Sequence, residues 1–244
     1  MGAMAQMAKC PPMSESSNHE MFLASRHFKH FGHFAFRHLW HCPHFAIAVA
    51  LYLSGSAAFA QSLASPVLVV LETSLGAITI EVNVAKAPVT AANFLRYVDA
   101  GLYNSGRFHR TVRPETETRK DVPIEVVQAT RAARTPETPN FPAIPLERTK
   151  ATGLTHVDGA VAMARAGIDS AVADFFICIG AQPLLDFGGA RNADGQGFAV
   201  FGRVIAGMDV VRKIQASPVR AGTQSLAPPI VILKAARTTG GGLR

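Results

Sequence analysis

Residues 67–82, VLVVLETSLGAITIEV, set two β-rich runs around Thr73-Ser74-Leu75-Gly76, and in the second run Ile78, Ile80 and Val82 alternate with Thr79 and Glu81. A period of two places those apolar side chains on one face, so the stretch predicts a β-hairpin with one buried side. Next, residues 87–101, APVTAANFLRYVDAG, put Pro88 at a helix start, pair Phe94 with Val98 at four-residue spacing and offer Gly101 as a stop, the pattern of a short amphipathic helix. Residues 106–112 predict a further strand, and 113–121 a polar loop leading into VPIEVVQ, where Ile124, Val126 and Gln128 share a face. Residues 129–150 are rich in Pro, Thr and Arg without a period, which reads as a long surface loop holding at most one short strand. Strand patterns return in GAVAMA (159–164), FFICI (175–179) and GFAVFGRVI (197–205), followed by a helix over 207–215 and a closing strand PIVILKAA (229–236). Many short strands, two helices and no regular βαβ alternation predict a mainly β fold, a single closed or sandwiched β domain.

Composition agrees, since 48% hydrophobic and 17% charged residues suit a chain with a packed core and exclude a disordered one. The three cysteines, Cys10, Cys42 and Cys178, exclude a disulfide-stapled mini-fold and a four-cysteine zinc site. Cys178, inside FFICI, reads as a buried inert thiol.

The longest apolar run, Phe45 to Ala60, has about sixteen residues where a spanning helix needs roughly twenty. Arg26, Lys29 and Arg37 precede it, no acid follows Glu20, and it ends in Ala58-Phe59-Ala60, the small-x-small pattern of a signal-peptidase site. Residues 1–60 are therefore expected to be a leader cleaved after Ala60, with residues 61–244 as one exported, periplasmic domain. An uncleaved membrane anchor is the alternative. Seven of the nine histidines fall in residues 19–44, but aromatic and charged residues interrupt them and no paired carboxylates accompany them, so no metal site is expected there. Trp40 belongs to this segment. The formal charge of +7 falls to +5 once the four basic and two acidic residues of 1–60 are removed. The remaining basic residues are scattered, which indicates a solvated surface and no nucleic-acid partner.

Signatures of common catalysts are absent: there is no G-x-S-x-G elbow, no P-loop and no zinc-protease helix. Asn192-Ala193-Asp194-Gly195 lacks the flanking carboxylates and terminal Glu of a calcium loop.

One set of motifs goes further. Arg107-Phe108-His109-Arg110, then Val127-Gln128, Gly159-Ala160-Val161-Ala162-Met163-Ala164, Phe175-Phe176-Ile177 and Val200-Phe201-Gly202-Arg203-Val204, in this order, resemble the cyclophilin family of peptidyl-prolyl isomerases over residues 67–237. Met163-Ala164-Arg165 is similar to its exported bacterial branch. The resemblance implies an eight-stranded antiparallel β-barrel capped by two α-helices, with the site on the outer face. It also implies rotation about X–Pro bonds of peptides and unfolded exported proteins, by a monomer without cofactor or metal. The obstacle is amide resonance, a barrier of about 18–20 kcal/mol. By resemblance Arg110 donates to the prolyl nitrogen of the twisted amide, and Gln128 orients Arg110 and the substrate carbonyl. Val126, Phe176, Leu185 and Phe198 receive the proline ring, and Ala164 and Arg165 contact the peptide through their backbone. Phe108, His109, Met163, Asp174 and Leu184 complete the expected substrate contacts.

Of the two adjacent phenylalanines, strand alternation sends one to the core and one to the site, and the resemblance selects Phe176. The chain departs from the family in three ways. Eighteen residues separate Arg110 from Gln128, about ten more than usual, which marks residues 111–122 as an insertion within a long loop region, 111–150. Glu125 stands near an expected pocket phenylalanine, Ala129-Thr130 replace glycines, and Asp174 replaces a glutamine. A carboxylate near Arg110 would either compete with substrate or help to orient the guanidinium. Leu184 stands where some members carry a tryptophan important for cyclosporin, so weak inhibition is implied. The leading function is a prolyl isomerase. The alternatives are a non-catalytic module that binds proline-containing peptides, and a barrel used only as scaffold.

Overall fold

The computed structural model describes residues 66–138 and 140–238. The histidine-rich segment, the apolar run, the cleavage site after Ala60 and the membrane-anchor alternative all lie outside the described residues. Among those described, no helix is long and apolar enough to cross a membrane.

The elements are β1 (Val67–Thr73), β2 (Gly76–Val82), α1 (Pro88–Asp99), β3 (Gly106–Val112), β4 (Val126–Thr130), a one-turn α2 (Thr149–Thr152), β5 (Ala160–Met163), β6 (Phe175–Cys178), a 3-10 turn at Pro183–Leu185, β7 (Ala199–Ala206), α3 (Met208–Ala216) and β8 (Ser225–Thr238). The strands close in the order β1-β2-β7-β5-β6-β4-β3-β8, with every pairing antiparallel. Closure leaves no unpaired sheet edge. The 67–82 hairpin pairs Thr73 with Gly76, and the Thr73 hydroxyl donates to the Gly76 carbonyl at 2.6 Å to pin the turn.

Alternation along the strands fills the interior with Ile78, Ile80, Phe108, Val127, Phe175, Ile177 and Phe201, all buried. Helix α1 lays its apolar stripe of Ala91, Phe94, Leu95 and Val98 onto them, and the Phe94 ring meets Phe201 at 4.8 Å and stands edge-on to Phe175 at 5.5 Å. Helix α3 adds Val210, Val211 and Ile214. Its entry needs Gly207, whose φ is +88° and where a Cβ would sit 2.3 Å from the Ala77 carbonyl.

Two expectations are corrected. The closing strand starts at Ser225, not residue 229, because its first residue pairs with Arg110 beyond an irregularity in the ladder. Nor is the 129–150 stretch a free surface loop. Val126–Thr130 is a full strand, and the segment after it packs on α1: Ile144 and Leu146 are buried, and Phe141 stands edge-on to Tyr97 at 4.8 Å. The reason is electrostatic. No local side chain caps α1, so its exposed amides take the Glu147 carboxylate instead, from Val89 N (3.1 Å) and Thr90 N (2.7 Å), with the Thr90 hydroxyl at 2.6 Å. An anion at the positive end of the helix holds the loop down.

Replacing Glu147 by Ala is expected to cost about 1–2 kcal/mol of stability, the usual range for a lost cap. Chemical denaturation measures the loss, and hydrogen exchange should speed at Val89 and Thr90. A variant with unaltered stability and exchange would contradict the capping role.

Candidate functional site

Strand β3 carries a bulge. Its register with β4 slips between Phe108 and Arg110, which face Ala129 and Gln128 respectively, leaving His109 as the extra residue. In a regular strand Phe108 and Arg110 would point the same way. Here Phe108 enters the barrel core while Arg110 emerges on the outer face beside Gln128. Strands β4 and β6 then alternate without interruption: Val127, Ala129, Phe175 and Ile177 point in, whereas Val126, Phe176 and Cys178 point out. The outward set joins Val112, Ile124, Ala162, Leu185 and Val200 in a second apolar cluster, of which Ile124, Val126, Phe176 and Leu185 line a cleft of about 390 Å³.

The cleft brings together eight of the residues that the resemblance selects: Arg110, Gln128, Val126, Ala164, Arg165, Phe176, Leu185 and Phe198. Phe176 stands edge-on to Phe198 at 5.3 Å, and the His156 ring stacks with it at 5.9 Å, tilted by 8°. Arg165 lies over the Phe198 ring at 5.3 Å and is pinned by Asp194 (2.7 and 2.9 Å) and the Gly197 carbonyl (2.8 Å). The Arg165 guanidinium, with the Gln196 amide, holds the Asp194 carboxyl down at about 2.

Five expected contacts are placed elsewhere. Phe108 and Met163 lie in the barrel core, so they are corrected to core residues; the bulge turns Phe108 inward and strand alternation does the same for Met163. His109 is half-buried, its Nδ1 is buried without a partner, and burial pushes its imidazole below the ordinary range. Leu184 is half-buried and outside the cleft, where its carbonyl accepts from Arg191 N at 3.1 Å. Asp174 lines an adjoining cavity of about 490 Å³ that shares Gln128, Ala164 and Arg165 with the cleft.

Neither questioned carboxylate bonds to Arg110: Glu125 accepts from Gln215 Nε2 at 2.8 Å, and Asp174 from the Thr130 hydroxyl at 2.5 Å. The guanidinium donates instead to two neutral oxygens. Nη1 reaches Gln128 Oε1 at 2.9 Å, while Nε and Nη2 reach Gln224 Oε1 at 2.9 and 2.6 Å. Three of its five N–H groups are thus engaged and two are left. Burial lowers the Arg110 pKa from the ordinary arginine value; the Arg191 charge acts the same way and Glu117 opposes it.

Sequence reasoning missed Gln224, which bonds Arg110, and Arg119, Arg191 and Asn192, which line the cleft. All four sit in loops without periodicity, and only the departure in spacing between Arg110 and Gln128 drew attention to the inserted segment. That segment is built around a buried ion pair. Glu117 meets Arg191 at 2.8 Å and accepts from Arg119 N (2.8 Å) and Ile124 N (3.2 Å). Burial alone would raise the Glu117 pKa, but the Arg119 amide, Arg191 and the Ile124 amide outweigh it and leave the carboxyl below its ordinary value.

The family model described as cyclophilin type peptidyl-prolyl cis-trans isomerase/CLD matches residues 68–237. A peptidyl-prolyl cis-trans isomerase of Acinetobacter baylyi is 37% identical over 171 residues, covering 70% of this chain and 82% of that protein. Peptidyl-prolyl cis-trans isomerase A of Dickeya dadantii is 34% identical, covering 78% of this chain and 94% of its own. The crystal structure of a cyclophilin type isomerase from Cryptosporidium parvum superposes with a TM-score of 0.56 at 17% identity, over 72% of this chain and 100% of that one, which is a likeness of fold. A second structure of that protein, in the presence of the dipeptide Ala-Pro, gives a TM-score of 0.54 at 18% identity, over 71% and 99%.

A lowered folded-state pKa makes Glu117 stabilising above its unfolded value of about 4.3, and that contribution disappears as pH falls through the lower folded value. Amide exchange at Arg119 and Ile124 should therefore be independent of this group between about pH 6 and 8 and quicken as the pH drops below about 4.3. Acid-insensitive protection would contradict the role assigned to Glu117.

Proposed function

The chain belongs to the cyclophilin family of peptidyl-prolyl cis–trans isomerases, and from that premise we propose that Arg110 and Gln128 turn the X–Pro bonds of proline-containing peptides in the cleft. The activity is isomerisation with no covalent intermediate. The apolar floor of Val126, Phe176, Leu185 and Phe198 has the character a proline ring needs, and one of its edges is the guanidinium. In the planar amide the nitrogen lone pair is delocalised into the carbonyl; in the twisted state it is localised and becomes an acceptor. A donor aimed at that nitrogen therefore binds the transition state more strongly than either ground state, which is the condition for acceleration. Arg110 has N–H groups left for this, and arginine keeps its charge at any physiological pH. Gln128 uses its oxygen to hold Arg110, so its amide nitrogen is left to donate to the substrate carbonyl. The supporting observation is the Arg110–Gln128 bond at 2.9 Å beside this floor. With Glu125 and Asp174 engaged elsewhere, nothing at the site favours a silent binding module.

The clients we infer are exported proteins, with residues 1–60 acting as a leader cut after Ala60 and the domain working in the periplasm. The basic residues ahead of the Phe45–Ala60 run and its Ala-Phe-Ala end support this reading.

Exchange spectroscopy on an Ala-Pro peptide is the direct test. The protein should accelerate cis–trans exchange, and Arg110→Ala should lower kcat/KM by about a hundredfold, the equivalent of one charge-assisted hydrogen bond worth about 2.7 kcal/mol. Arg110→Lys should recover little, because a point charge lacks the fork. An Arg110→Ala variant as fast as the parent would overturn the assignment. For export, N-terminal sequencing of the secreted protein should begin at Gln61; a start well upstream would defeat the cleavage.

A further inference from the structure

We propose that Gln224, backed by the loop of residues 113–124 that follows β3 and holds most of the insertion, is a positioning residue that fixes the Arg110 guanidinium in its working orientation. The proposal rests on the reading of Arg110 as the donor to the prolyl nitrogen, and adds to it a residue and a purpose for the insertion.

Gln224 is held from two sides. Its backbone carbonyl accepts from Thr111 N at 2.9 Å, and its side-chain amide donates from Nε2 to the Thr116 carbonyl at 3.0 Å. That second bond decides which end of the amide faces the cleft. Only a carbonyl acceptor meets Nε2, so Oε1 is the atom left to face the guanidinium, which carries donors alone. It takes both N–H groups on one edge of Arg110, Nε at 2.9 Å and Nη2 at 2.6 Å. Gln128 takes Nη1 from the other side. A long side chain that samples many rotamers when unheld is thereby confined to one plane.

Thr116 is a fixed anchor because the loop that carries it is tied down. Its amide donates to the Arg113 carbonyl at 2.9 Å and its hydroxyl accepts from Arg113 N at 3.1 Å. The Arg113 guanidinium in turn bonds the carbonyls of Ser217, at 3.2 Å, and of Gln215. One residue later, Glu117 is locked to Arg191 at 2.8 Å. A chain of contacts therefore runs from the insertion through the Thr116 carbonyl and the Gln224 amide to Arg110.

The chemistry of the acceptor matters. An amide oxygen orients a guanidinium without supplying a negative charge, whereas a carboxylate at the same place would form an ion pair and compete with the prolyl nitrogen for the same N–H groups. A carboxylate would also set oxygen against the Thr116 carbonyl, with no donor between them. Glutamine is the side chain of this length that satisfies both neighbours.

The test compares Gln224→Ala, Gln224→Glu and Arg110→Ala in the full protein. It uses three readouts: kcat and KM for an Ala-Pro peptide, thermal unfolding, and the Arg110 Nε–H cross-peak in a ¹H–¹⁵N spectrum, assigned by its loss in Arg110→Ala. Gln224→Ala should lower kcat by about tenfold with KM within about twofold, as expected for an interaction that matters mainly in the transition state. The Nε–H peak should move and the unfolding temperature stay close to the parent's. Gln224→Glu should also be slower than the parent, through charge rather than lost geometry. Replacing residues 114–121 by a short Gly-Ser link should reproduce the Gln224→Ala loss, and the two changes together should cost no more than either alone, because they break one chain of contacts. Full kcat in Gln224→Ala would overturn the proposal. So would a fall in kcat, KM and unfolding temperature together with the Nε–H peak unmoved, since that is general damage. A parent rate surviving Arg110→Ala would instead overturn the prolyl-nitrogen reading, and this proposal with it.

Discussion

Arg110 reaches the cleft because His109 is one residue too many in β3. A regular strand sends residues two apart to the same face, so without the extra residue either Phe108 would leave the core or Arg110 would enter it. With it, Phe108 packs edge-on to Phe175 inside the barrel at 6.2 Å while Arg110 stands outside against Gln128. The bulge also shifts the register with β8, so that Arg110 faces Ser225, next to Gln224. A local irregularity of one residue thus brings both holders of the guanidinium within reach.

The barrel and the cleft are not separate structures. Strands β4 and β6 supply the inner core with Val127, Ala129, Phe175 and Ile177 and the second apolar cluster with Val126, Phe176 and Cys178, so each strand is packed on both faces. Close-packed interiors transmit displacement, because they hold few voids that could absorb it. Phe176 is confined further by ring contacts with Phe198 and His156, and His156 is itself bonded to Asp186 at 2.7 Å. The apolar floor of the cleft is therefore held by the same packing that stabilises the core. Cys178 belongs to this layer, and burial pushes its thiol far above the ordinary range, as an inert packing residue requires.

What was legible in the sequence is what periodicity and local punctuation encode. The 67–82 hairpin, the Pro88 helix start and the opposite facing of Phe175 and Phe176 depend on residues a few positions apart, and they are found where those patterns put them. Family resemblance added the identity of the cleft, since no local pattern distinguishes Arg110 from any other arginine on a strand. Contacts that close long loops stayed hidden. Glu147 caps a helix that begins 59 positions earlier at Pro88, and Gln224 meets Arg110 across 114. Nothing periodic surrounds either residue. Phe108 and Met163 were misplaced for a related reason: a motif identifies residues near a site, whereas the facing of each is set by bulges and registers that only the assembled sheet defines.

Charge distribution around the cleft sets Arg110 apart from its neighbours. Arg165 is paired with Asp194, Arg191 with Glu117, and Arg119 with Asp121 at 3.4 Å. Among the described residues lining the cleft, Arg110 is the cation held by amide oxygens alone. Pairing offsets part of the repulsion its neighbours exert, since Glu117 opposes the effect of the Arg191 charge on Arg110, and the paired carboxylates bond their own arginines and leave its N–H groups to the glutamines. Burial disfavours the Arg110 charge, so the charge persists at a cost that the two glutamine oxygens offset without cancelling it. A partly desolvated, oriented and uncompensated cation beside an apolar floor is what a developing lone pair on a prolyl nitrogen can use. The ion pairs of the insertion are therefore part of the site's electrostatics as much as of its stability.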